Sequence, residues 1–128
     1  EKIHLGTIVE IGLDDGLDTL AVFTDGGVRY INHTGRMAIV EGSSDAFEKE
    51  IKQVLTASEP VVNAIGPWKE ARRPPPQKGN LRFTFLVSDG LYFGEGPIDV
   101  MSGEPMAAPL FKAATALLMR LVEANEEL

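Results

Sequence analysis

Leu81, Phe83, Phe85 and Val87 alternate with Arg82, Thr84, Leu86 and Ser88, the cleanest period of two in the chain. Such alternation sends every second side chain to one face of a sheet. Asp89-Gly90 follows and leads into Leu91-Tyr92-Phe93, so the pattern predicts a hairpin with a tight turn. The same vocabulary occurs upstream. Leu5 to Leu13 is rich in β-branched residues and ends at Asp14-Asp15-Gly16. Thr19 to Thr24 is nearly continuous in apolar residues, Asp25-Gly26-Gly27 turns the chain, and Val28 to Asn32 alternates again. His33-Thr34-Gly35 marks a further break, and Arg36 to Glu41 extends the third strand or forms a fourth.

Two stretches carry the helical period instead. Phe47, Ile51, Val54, Leu55, Ser58, Val61, Val62 and Ile65 recur at three- and four-residue spacing, as do Leu110, Phe111, Ala114, Leu117, Leu118, Leu121 and Val122. Asp45 with Glu48 three residues on reads as a capping box for the first helix. Pro60 inside it predicts a kink, or a restart capped by Ser58. Pro109 suits the first turn of the second helix. The expectation is one α+β domain over residues 1–128: an antiparallel sheet of five to six strands with two amphipathic helices packed on one face.

Residues 66–80 have no periodicity and contain three consecutive prolines, which hold the chain extended. Lys69, Arg72, Arg73 and Lys78 oppose Glu70 alone there, in a chain of net charge -7. With so few apolar groups the loop is not expected to be anchored within one chain. It is expected to be mobile or to dock on a partner, with Trp68, Arg72 and Arg73 as candidate interface residues.

Composition narrows the functional classes. The 128 residues are 44% hydrophobic and 24% charged, the balance of a folded domain. With no cysteine, disulfides, thiolate metal sites and cysteine nucleophiles are excluded. The acidic balance disfavours nucleic acid and anionic membrane as partners, and no apolar run approaches the length of a span. Glu1-Lys2-Ile3 opens the sequence without a basic segment leading into an apolar stretch, and the location read from this is cytoplasmic.

No motif names a reaction. His4 and His33 have no partner at a metal-ligand spacing, so no metal is expected, and Asp14, Asp15 and Asp18 read as a solvated turn. Gly94 and Gly96 lack the third glycine and the helix of a dinucleotide site, and neither a phosphate-binding loop nor a nucleophile elbow occurs, so no cofactor is expected. The densest polar group is Tyr30, Asn32, His33, Thr34 and Arg36, at a strand end. Tyr92 and Glu95 form a second pair. Tyr30, His33, Arg36, Tyr92 and Glu95 are therefore candidates for a small-molecule pocket, should the two hairpins be neighbours.

Residues 18–37 and 88–97, DTLAVFTDGGVRYINHTGRM and SDGLYFGEGP, resemble segments of a group of conserved bacterial proteins, a resemblance that implies no activity. The arrangement of hairpins and two helices also resembles roadblock or profilin-like interaction domains, although those usually begin with a helix and this chain begins with a strand. The function expected is noncatalytic: a homo-oligomeric interaction or scaffold domain, a dimer or a tetramer built from dimers. Leu86 and Phe93, together with Tyr30 or Tyr92, are expected on its uncovered sheet face. A ligand-binding protein or modest enzyme is the alternative.

Overall fold

In the computed structural model, which describes residues 3–42, 45–70 and 74–125, β1 (His4–Leu13) is the hub. β2 (Gly16–Phe23) pairs with it on one side after the two-residue turn Asp14-Asp15, and β5 (Asn80–Val87) on the other. β3 (Val28–Ile31) and β4 (Met37–Val40) extend the first side, and β6 (Gly90–Pro97) the second. The result is a six-stranded antiparallel sheet in the order β4-β3-β2-β1-β5-β6. The two Asp-Gly hairpins thus flank one central strand.

α1 (Glu48–Ala64) and α3 (Ala108–Ala124) cover one face, and α2 (Ile98–Met101) is a single turn that the helical period did not foretell. Arg120 near the end of α3 donates to Glu50 Oε2 at 3.1 Å near the start of α1, so the two helices run antiparallel. Between helices and sheet lies the core. Val9, Leu20, Val22, Val54, Leu81, Phe83, Phe85, Leu110, Leu117 and Leu121 are each 2% exposed or less. Burial of that kind is worth roughly 1.5 to 3 kcal/mol per large side chain and dominates the folding energy.

Two expectations about helix ends are corrected. α1 begins at Phe47, not in a capping box: the Asp45 carbonyl, not its side chain, accepts the Glu48 N–H at 3.3 Å. The ring of Phe47 is buried beneath the Arg120 guanidinium, and that packing fixes the start. Nor does Ser58 restart a helix. α1 runs through Pro60, and the Ser58 hydroxyl bonds back to the Val54 carbonyl at 2.8 Å. Its oxygen also meets Thr7 Oγ1 at 2.8 Å, a buried polar contact tying α1 to β1.

Tyr30 and Tyr92 are corrected too. Each occupies the register position that faces the helices, opposite Leu20 and Phe85, and they are 4% and 1% exposed. Alternation then assigns the uncovered face to Leu86, Phe93, Arg82 and Glu95 on one side of β1, and to Arg29, Ile31, Met37 and Ile39 on the other.

Candidate functional site

Asp18 organises the polar end of the β2-β3-β4 ladder. Its Oδ2 accepts the Tyr30 hydroxyl at 3.0 Å, while Oδ1 accepts the His33 backbone N–H at 2.8 Å and lies 3.2 Å from His33 Nδ1. A carboxylate on Nδ1 sets the tautomer that leaves Nε2 outward, the arrangement of an oriented base. Burial and then the Asp18 hydrogen bond push the Tyr30 hydroxyl well above the usual phenol range, so it stays a donor.

The rest of the turn is occupied by its own backbone. Asn32 Oδ1 accepts Thr34 N–H at 3.0 Å, Thr34 Oγ1 at 2.6 Å and Arg36 N–H at 3.1 Å. The Asn32 side chain thereby closes the β3-β4 connection, and the turn's hydroxyl is already engaged. Gly35 sits in the same turn at φ +88°, a conformation that favours glycine.

Tyr30 and His33 are therefore brought together by Asp18, with Arg36 on the same turn, but Tyr92 and Glu95 are not. β2, β1 and β5 separate β3 from β6, about 19 Å at the usual strand spacing. Tyr92 points under the helices with its hydroxyl on Asp89 Oδ2 at 3.0 Å, while Glu95 lies on the opposite face against Arg82. The five residues do not line one concavity.

Beneath residues 74–79 is a buried charge row that the pattern of the sequence did not reveal. Arg82 is 2% exposed, with Nε on Glu95 Oε1 at 2.7 Å and Nη1 3.8 Å from Glu10 Oε1. Its Nη2 donates to the Pro74 carbonyl. The expectation that this loop lacks anchorage within its own chain is thus corrected. Trp68 N–H donates to the Leu91 carbonyl of edge strand β6 at 2.7 Å, and its ring meets Phe93 edge-on at 5.8 Å. Pro76 is buried, and Gly79 N–H donates to the Gly12 carbonyl at 2.9 Å. Residues 66–70 and 74–79 form a strap over one half of the uncovered face. Arg72 and Arg73, the other candidate interface residues, lie outside the described residues.

The strap stops at β1. Beyond it Ile31, Met37 and Ile39 share one face and are 39%, 53% and 49% exposed. The edges differ in the same way: β6 is capped by Trp68, whereas among the described residues β4 pairs only with β3. Asn32 N–H donates to the Arg36 carbonyl at 2.9 Å, which makes that pair a hydrogen-bonded one. In an antiparallel ladder such pairs recur every second residue, so Ala38 and Val40 bond inward and the backbone groups of Met37 and Ile39 point out of the sheet edge.

Among the described residues no three His, Asp or Glu side chains are grouped to hold a metal ion, and no helix is long and apolar enough to cross a membrane. No protein-family model matches the chain, and no curated protein was found to match it in sequence. What the geometry defines is an α+β sheet-and-helix domain with one edge covered and one open.

Proposed function

We propose that this protein is a noncatalytic interaction domain that pairs with a second copy of itself through β4. The observation that carries this reading is that the same two residues, Met37 and Ile39, present both outward backbone groups and exposed apolar side chains. An edge of that kind, left uncapped, templates strand addition. With a two-fold axis at Ala38, Met37 of one copy faces Ile39 of the other, and each such pair exchanges both hydrogen bonds. The apolar patches of the two copies then become continuous on one face.

Contact rather than catalysis is supported by the turn chemistry, since Asn32, Thr34 and Tyr30 are engaged in local hydrogen bonds. A cytoplasmic setting and the exclusion of nucleic acid belong to the same reading and rest on composition, with no cysteine and a net charge of -7.

Light scattering in line with gel filtration tests the proposal. The expected particle at micromolar concentration has twice the chain mass of 13.9 kDa. Met37→Pro removes only an outward N–H, and Ile39→Lys places a charge on the exposed patch, so both should leave a folded monomer. A monomeric parent protein, or dimers that survive both substitutions, would overturn it.

A further inference from the structure

On the side of the molecule away from the sheet, α1 and α3 leave an open groove of about 700 Å³ between them. Its floor is made by small side chains, Ala57, Ala113 and Ala116, and its rims by Lys49, Lys52 and Lys112. Among the described residues no carboxylate lines it, although the chain as a whole carries a net charge of -7. Lys52 makes an exposed contact with Glu48 at 3.2 Å, an ion pair between neighbours on the same helix that is worth little in water.

We infer that this groove receives an amphipathic helix of a partner protein whose apolar stripe is flanked by Asp or Glu. Small floor residues let a third helix approach closely, because interhelical distance follows the side chains at the contact. The lysines on both walls match carboxylates on both flanks of such a stripe, and like charge rejects basic helices. The occupant is not α1 or α3 of a second copy. Both already bury their apolar stripes in the core, through Ile51, Val54 and Val61 and through Leu110, Leu117 and Leu121. A membrane surface fits less well, since lipid insertion needs protruding apolar side chains and this apolar surface is recessed. The groove lies on the helix layer, so the inference is independent of pairing through β4.

Fluorescence anisotropy with labelled synthetic helices of one Leu/Ala stripe, flanked either by Glu or by Lys, tests this. The Glu-flanked peptide should bind and the Lys-flanked one should not, with affinity falling as salt is raised. Lys49→Glu, Lys52→Glu and Lys112→Glu together should weaken the acidic peptide roughly tenfold or more and bring in the basic one. All three side chains are exposed, so the fold is expected to persist, which circular dichroism checks. Equal binding of both peptides, binding of neither, unchanged affinity in the triple variant, or association only with dodecanoate or anionic phosphatidylserine vesicles would each overturn it.

Discussion

Arg82 and Glu95 face each other across β5 and β6, and the guanidinium Nε lies 2.7 Å from the carboxylate in a layer where the Arg side chain is 3% exposed. Glu10 completes the row from β1, and the Pro74 carbonyl caps it from the strap. Removing the cation while leaving both carboxylates is the damaging change, because a buried charge then loses its partner. Arg82→Met is expected to cost about 3 to 5 kcal/mol, measured by urea denaturation. It should also speed tryptic cleavage at Lys69 and Lys78, since the strap loses its central anchor. A loss under about 1 kcal/mol, the range of an exposed pair, would show that the row is solvated.

The same strap sets the second expectation. A Cβ built at Gly12 would lie 2.0 Å from the Gln77 carbonyl oxygen and 2.7 Å from that of Pro76, backbone atoms that cannot swing aside. Gly12→Ala must therefore displace the strap or bend β1, and faster proteolysis at Lys78 with a lower denaturation midpoint is expected. Gly94→Ala is the control, for nothing lies within 4 Å of its added Cβ. Equal behaviour of the two variants would mean that the strap does not rest on Gly12.

These contacts explain how far the sequence was legible. Alternation in residues 81–88 places Arg82, Thr84 and Leu86 on the face away from the helices, and the sheet has that parity. What alternation cannot convey is that the segment just before β5 folds back over that face, which turns an arginine expected at the surface into one 2% exposed. Tyr30 and Tyr92 fail for the complementary reason. A tyrosine suits either face, and only the hydroxyl partners Asp18 and Asp89 at the layer's rim show why both turn inward. Strand existence and the two long helices were readable because each is a periodic burial pattern. The candidate pocket was not, because its residues were grouped by hairpin and the sheet order inserts three strands between them.

The Thr7–Ser58 contact yields a third expectation. Ser58 gives its only proton to the Val54 carbonyl, so Thr7 donates to Ser58, and both oxygens are in residues fully buried. Ser58→Ala strands the Thr7 donor and should cost about 1 to 3 kcal/mol, whereas Thr7→Val with Ser58→Ala removes both partners and should recover much of that loss. A double-mutant cycle by denaturation decides it: additive losses would mean that the two hydroxyls are not coupled.

His4 supplies the pH dependence. A register shift between His4 and Gly6 turns its ring onto the helix-covered side, 6.3 Å from Phe85, with Nε2 at 2.9 Å from both the Gly6 carbonyl and Thr7 Oγ1. A carbonyl only accepts, so Nε2 carries the proton of the neutral ring. Burial is the largest influence and lowers the pKa below its ordinary 6.5, outweighing the Gly6 hydrogen bond and the Glu59 charge, which raise it. The unfolded chain then takes up the proton first as pH falls. Stability from this group is complete above about pH 7, declines as pH drops through 6.5, and levels off once the folded ring is protonated as well. His4→Asn should therefore be less stable than the parent protein near pH 8, where the ring's packing is lost, and the difference should shrink toward pH 5.5. Denaturation midpoints of both proteins across that range, compared pairwise so that shared carboxylate titrations cancel, give the answer. A gap that widens on acidification would require a folded-state pKa above 6.5 and would contradict the assignment of burial as the controlling cause.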